Sequence, residues 1–382
     1  MVEVELLGGP LEWRGALEVV ATPGGAAARR LPAWARAQLP DLTMDVVQQL
    51  PAGVRLCAST TTTSIRLTVQ LTHLHQLPKE RTTAAFDLVV DGQVVHSAAT
   101  TTGHLIEVGP APGAVVFTEG PATTITFDAL ESGRKAIELW LPQGTAVEVL
   151  SLEIDEGASW ERPDRGGPRW THYGSSISHC VAAQSPTRTW PAQVARRLGL
   201  DGTNLGFGGQ CMLDPFVART IRDHPAEVIS LKVAANLYAA DTMALRTFGP
   251  ALDGFLDTIR EGQPTTPMVV ISPIGLPVGE DTPGPLRYDP EGMAEPVPRP
   301  DDLQLGVLTL GSMRSRIAEV VTRRQAAGDA NLHYLDGRQL FDVEDFADLP
   351  DRLHPNDAGN ARMAERCLEA LAGPGGPFAG LG

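Results

Sequence analysis

The stretch Arg169-Trp170-Thr171-His172-Tyr173-Gly174-Ser175-Ser176-Ile177-Ser178 passes from strand chemistry to helix-start chemistry within two residues. Residues 169–173 read as a strand. A glycine before a serine at a strand-to-helix turn lets the chain bend sharply and present the hydroxyl. It also sets serine at a helix N-terminus, where free N–H groups and the helix dipole favour negative charge. Read alone, Gly174-Ser175-Ser176 is equally a flexible turn or a helix cap.

Toward the C-terminus, candidate strands at 203–207, 228–234, 268–273 and 332–336 alternate with helical patterns at 191–198, 243–260, 303–323 and 358–371. Several of the strands are continuous apolar runs, as expected where both faces of a sheet are covered. Such alternation predicts a parallel, doubly wound α/β sheet with right-handed crossovers and a ligand site at the carboxyl ends of the strands. Toward the N-terminus the pattern is all-β. Short β-branched runs recur with turn signals between them, including clusters of glycine and proline at 109–113 and 119–121. Asp91-Gly92 between two runs is a strong hairpin signal. These features predict a β-sandwich over 1–156, a linker rich in proline, glycine and charge over 157–168, and the α/β domain over 169–382.

Three further segments sit at predicted strand ends of the α/β part. Asn204-Leu205-Gly206-Phe207-Gly208-Gly209-Gln210 is a glycine-rich turn whose backbone N–H can approach a substrate oxygen. It lacks the glycine spacing of dinucleotide binders and the Lys-Ser/Thr pair of phosphate loops. In Val233-Ala234-Ala235-Asn236-Leu237 the asparagine can offer its side-chain N–H to an oxyanion, or serve as an ordinary turn residue. In Asp351-Arg352-Leu353-His354-Pro355-Asn356 an acid three residues before a histidine can orient the imidazole and stabilise its protonated form. Together the four segments hold a nucleophile, a base, an acid to orient it and three oxyanion donors, the parts needed for acyl transfer.

Ser176, Gly209, Asn236 and His354 stand in the order and context of the four blocks of the SGNH, or GDSL-type, hydrolase superfamily, which the chain resembles over about 168–372. Gly174-Ser175-Ser176 replaces the common Gly-Asp-Ser, as in a Gly-Ser-Ser-Ile branch. Ala234-Ala235-Asn236-Leu237 replaces Gly-x-Asn-Asp and loses its glycine and its acid. The resemblance implies a flavodoxin-like catalytic domain and a catalytic triad of Ser176, His354 and Asp351. It further implies an oxyanion hole made by Ser176, Gly209 and Asn236. With a β-sandwich ahead of it, the layout is similar to two-domain actinobacterial members. For that branch the expected reaction moves an acyl group from a coenzyme A thioester to a hydroxyl of a natural product. Hydrolysis of small carboxylic esters is the alternative. The expected partners are thus a small-molecule acyl donor and a hydroxyl acceptor, with coenzyme A as part of a substrate and no resident cofactor.

Composition narrows the remaining classes. The chain has 382 residues, 42% hydrophobic and 20% charged, with a formal net charge of −15. That balance argues against nucleic acid and anionic membrane surfaces as partners. Only Lys79, Lys135 and Lys232 are lysines, and no basic cluster marks a site for the phosphates of coenzyme A. The four cysteines, Cys57, Cys180, Cys211 and Cys367, contain no CxxC pair, so neither a zinc ribbon nor a disulfide scaffold is expected. No metal site is expected, although His73 and His75 share a strand face. The acidic start and the lack of a long apolar run predict a cytoplasmic protein. The long Pro/Gly/acid-rich segment 275–302 is expected at the active-site rim, shaping acceptor access. For the front domain, Trp13, Trp34 and Trp140 suggest a sugar platform or ordinary core, and a homodimer contact is a further reading.

Overall fold

The computed structural model describes the chain apart from residues 77–81, 110–113, 165, 301–305, 374 and 382. The turn expected at 110–113 and the expected helix start at 303–305 therefore lie outside the described residues. Contacts divide the chain into two compact units: Met1–Arg36, Asp45–Gly167 and Val181–Arg188 form one, and Ala37–Met44, Pro168–Cys180 and Thr189–Gly382 the other. The chain thus passes between units more than once.

The second unit is a mixed α/β fold around a five-stranded parallel sheet. Its strands are β1 (Arg169–Gly174), β2 (Asp201–Gly206), β3 (Val228–Lys232), β4 (Met268–Ile271) and, after a hairpin of β5 (Leu286–Tyr288) and β6 (Ala294–Pro296), β7 (Leu332–Leu335). The order in the sheet is β2-β1-β3-β4-β7, and every pairing is parallel. The helices are α1 (Ser176–His179), α2 (Trp190–Arg197), α3 (Pro215–Asp223), α4 (Ala235–Ala240), α5 (Leu245–Gly262), α6 (Leu310–Ala326) and α7 (Asp357–Ala372). The expected 303–323 helix starts later, where Thr309 accepts the Ser312 N–H and Ser312 returns the bond. Of the helices that the sequence reading leaves out, α4 spans too few turns to show periodicity, whereas α3 does carry an apolar face.

The first unit holds an eight-stranded and a six-stranded sheet. Their buried side chains, among them Leu67, Val69, Phe86, Leu88, Phe127, Leu139 and Val149, form one hydrophobic cluster. Pairing is antiparallel except between Ile65–Gln76 and His104–Val108. Asp91 and Gly92, with φ of 45° and 80°, make the two-residue turn between Ala84–Val90 and Gln93–Thr100. Two expectations for the first 168 residues change. Helices occur at Ala33–Arg36 and Leu42–Gln49, the second begun by Asp41, which accepts the Met44 N–H at 2.8 Å. The predicted linker is no free spacer, because Trp160–Glu161 pairs with Ser59–Thr60 and Trp160 packs on the cluster.

Glycines set how closely α1 lies on the sheet. A β-carbon at Gly174 would stand 2.2 Å from Ser178 Oγ, and one at Gly206 would stand 2.5 Å from the His179 nitrogen. Gly174 therefore serves close packing, and its φ is not in the left-handed region. Gly206→Ala should push backbone against backbone and destabilise the second unit by roughly 1–3 kcal/mol or more. Gly254→Ala, in α5 where a β-carbon meets nothing within 4 Å, should instead add about 0.5–1 kcal/mol. Thermal melts followed by circular dichroism check both signs.

Candidate active site

Three serines lie in the turn after β1, and burial separates them. Ser175 is fully buried and caps α1, its Oγ accepting the Ile177 N–H at 3.3 Å. Ser178 is also fully buried, with Oγ 2.8 Å from His172 Nε2. Ser176, the first residue of α1, is only half-buried. The hydroxyl that reaches open space is thus the one at the helix N-terminus.

Across 178 residues of chain, His354 Nε2 comes to 2.9 Å from Ser176 Oγ. Its Nδ1 lies 2.7 Å from Asp351 Oδ2. The other oxygen of Asp351 accepts the backbone N–H groups of Leu353 at 3.1 Å and His354 at 2.7 Å. The turn puts Arg352 at φ +63°, a conformation side chains disfavour. Asn356 then caps α7 by accepting the Gly359 N–H at 2.9 Å. Burial alone would raise the Asp351 pKa, but the hydrogen bond and charge of His354 outweigh it and hold the carboxyl down at about 2.

The other expected oxyanion donors lie in the turns that follow β2 and β3. The Gly208 N–H is taken by His179 Nδ1 at 3.3 Å. The next residue, Gly209, is exposed with φ +73°. Asn236, in the first turn of α4, is buried, and its Oδ1 accepts the Cys211 N–H at 3.0 Å, which leaves its Nδ2 as the outward group. Ala234 caps this helix at φ +88°, where the family's glycine is lost, so the turn shape survives under backbone strain. The missing acid of that block is Leu237, which is fully buried.

Some supporting contacts have no sequence signal. The segment 275–300 folds into the β5–β6 hairpin, and the Ala294 N–H donates to the Asp351 carbonyl at 3.0 Å. Gly284 lies against the Tyr238 carbonyl, where a β-carbon would stand at 2.0 Å. One segment thereby touches both the turn of the acid and the helix of Asn236. Residues 301–302 of that expected loop lie outside the described residues. Beneath the turn, His172 Nδ1 and Trp170 Nε1 meet Ser230 Oγ at 2.7 and 2.9 Å. Burial, with the charge of Lys232, pushes His172 down to about 3.

Other candidates lie elsewhere. His73 and His75 engage the Thr102 carbonyl and Glu107, each at 3.2 Å. No cluster of three or more metal-ligating side chains occurs among the described residues. Cys180 is the left-handed C-cap of α1, and burial pushes its thiol up to about 12, far from a thiolate nucleophile. The three tryptophans form no common platform. Trp140 is buried with Arg55 over its ring, and Trp13 packs on the core while donating to the Leu6 carbonyl. No helix among the described residues is long and apolar enough to cross a membrane.

This fold, with a serine, a histidine and an acid in hydrogen-bonded series beside backbone and amide donors, defines a serine-type acyl-handling enzyme. Residues 172–362 match the model of the GDSL-like lipase/acylhydrolase family, and the chain belongs to that family. Among solved structures it is similar to the salicylyl-acyltransferase SsfX3 from a tetracycline biosynthetic pathway. That likeness has 28% identity and a TM-score of 0.80, and covers 96% of each chain. It is also similar to a GDSL-like lipase from Bacteroides ovatus (20% identity, TM-score 0.69, 97% of each chain). A family two carbohydrate esterase from Clostridium thermocellum matches at 14% identity and TM-score 0.60, over 95% of this chain and 98% of that one. The last two likenesses show the fold alone. Among curated protein sequences no match was found.

The depressed Asp351 pKa has a sign that stability measurements can read. A carboxyl held below its ordinary 3.8 stabilises the fold above about pH 4, and that contribution is lost as pH falls from about 4 to about 2. The unfolding free energy of the native chain should exceed that of Asp351→Asn at pH ~5 by on the order of 1–2 kcal/mol, and the gap should close near pH ~2, as denaturant titrations at the two pH values check.

Proposed function

We propose that the chain catalyses acyl transfer through an ester formed on Ser176. The observation carrying this reading is the 2.9 Å approach of His354 Nε2 to Ser176 Oγ, with Asp351 at 2.7 Å behind the imidazole. His354 takes the Ser176 proton as Oγ attacks the donor carbonyl. Negative charge gathers on the carbonyl oxygen, toward the N–H groups of Ser176 and Gly209 and the amide of Asn236. Asp351 keeps Nδ1–H oriented and favours the imidazolium. As the intermediate collapses, the carbonyl–leaving-group bond breaks and His354 gives its proton to the departing thiolate or alkoxide. An acceptor hydroxyl, deprotonated by the same imidazole, then attacks the acyl-Ser176 ester and frees the serine.

The donor is proposed to be an activated thioester such as an acyl-coenzyme A, and the acceptor a hydroxyl on a natural product. Likeness along nearly the whole chain to the salicylyl-acyltransferase supports this reading and suggests a salicyloyl-type aromatic acyl group and a tetracycline-like acceptor. The second reading is an esterase that passes the same intermediate to water, supported by the acylhydrolase character of the family. The first unit is proposed as a β-sandwich domain of the jelly-roll, carbohydrate-binding-like type that serves binding, with the chemistry confined to the second unit. Its two sheets around one cluster support that assignment.

Ser176→Ala should lower turnover by on the order of 10⁴ or more, and Asn236→Ala by about 10²–10³. Ser175→Ala should keep the nucleophile and lose about 1 kcal/mol of helix capping. Undiminished turnover in Ser176→Ala would reject the nucleophile. To separate the two readings, salicyloyl-coenzyme A is mixed with phenolic and alcoholic acceptors and products are weighed by mass spectrometry. Ester product supports transfer; free acid with every acceptor supports the esterase.

A further inference from the structure

The mechanism above leaves Lys232 without a task. It ends β3, is 1% exposed, and its Nζ has no hydrogen-bond partner among the described residues. An ammonium taken out of water without a partner is costly, so its place here calls for a reason.

Register and packing put the backbone of Lys232 next to the strand end that leads into Ser176. Lys232 pairs with Gly174, two residues before Ser176. It lies on the same sheet face as Ser230 and His172, and His172 bonds Ser178 inside α1. The absent β-carbon of Gly174 is what lets α1 settle on this face. The Lys232 carbonyl accepts the Cys211 thiol at 3.8 Å, and the Cys211 N–H holds Asn236 Oδ1 at 3.0 Å. The backbone of Lys232 is therefore linked through β1 to the start of α1 and through Cys211 to the amide of Asn236, and its side chain is buried on the face that α1 covers.

Among the described residues, no carboxylate answers it from the elements packed around it. His172 on β1 is neutral, its pKa held near 3. The thiols of Cys180, after α1, and Cys211, after β2, are pushed up to about 12 and stay protonated. Arg314 on α6 adds like charge. We propose that the buried ammonium of Lys232 is the standing counter-charge for the oxyanion formed during acyl transfer, stabilising it through the protein interior without touching substrate. The unmatched cation is a ground-state cost that the developing negative charge relieves. A unit charge about 10 Å from a developing charge, at the screening typical of protein interiors, is worth about tenfold in rate. This inference rests on the acyl-Ser176 reading.

The test compares native enzyme, Ser176→Ala and Lys232→Met, using salicyloyl-coenzyme A or a nitrophenyl ester as donor. Lys232→Met is expected to lower kcat about tenfold, leave KM within about twofold, and raise the thermal midpoint, since a stranded charge is replaced by an apolar chain. Opposite signs for activity and stability are the signature, because a merely structural lysine would lose both together. Unchanged kcat in Lys232→Met, or a fall in both kcat and thermal midpoint, overturns the proposal. Native kcat should also decline as pH rises through about 8, where Lys232 gives up its proton, and this limb should vanish in Lys232→Met. Should Lys232→Met fail to fold, a native kcat that stays flat from pH ~7 to ~9.5 overturns the proposal by itself. Activity persisting in Ser176→Ala would instead strike the acyl-Ser176 reading, so the two failures are distinguishable.

Discussion

At Gly174 the strand β1 meets helix α1 so closely that a single methyl would stand 2.2 Å from Ser178 Oγ. Gly206 makes the same allowance on the neighbouring strand. With α1 pressed onto the sheet, its free N–H groups and the Ser176 hydroxyl come out at the carboxyl edge, where the later loops converge. The buried Ser175 cap and the His172–Ser178 contact lock that helix from within. The 2.9 Å approach of His354 to Ser176 presupposes this short distance.

The site is held at a local cost to stability. Ala234 and Arg352 both adopt left-handed backbone without being glycine, one beside Asn236 and the other inside the Asp351–His354 turn. Lys232 and His172 are polar groups under the helix of the nucleophile. Such concentration of strain and buried polarity is characteristic of functional sites, where the surrounding core overdetermines a geometry the local chain would not choose. Here that core is continuous: β3 and β4 are buried along their whole lengths.

The acid and its histidine are braced from outside their own turn. Asp351 binds two N–H groups within the turn and receives a third contact at its carbonyl from Ala294. The hairpin that supplies Ala294 also lies on Tyr238, two residues beyond Asn236. A segment that composition marks only as rich in proline, glycine and acids is thus a mechanical link between the Asp351–His354 turn and the helix of Asn236.

Residues 169–178, the glycine turn at 206–209, Asn236 and the Asp351–His354 pair could be read from the chain because each is a local pattern of special residues at a strand end. Apolar runs gave the parallel sheet for the same reason: burial on both faces leaves its mark on neighbouring residues. The helix α4, the strand at Trp160–Glu161 and the brace from Ala294 left no such mark. Backbone N–H groups are common to nearly every residue type, and one or two helical turns show little periodicity. Which serine is left half-buried, and that Lys232 is buried without a hydrogen-bond partner, depend on contacts between distant segments. Sequence alone singled out the candidate groups; only folding decided their distances and surroundings, because those are set by long-range packing.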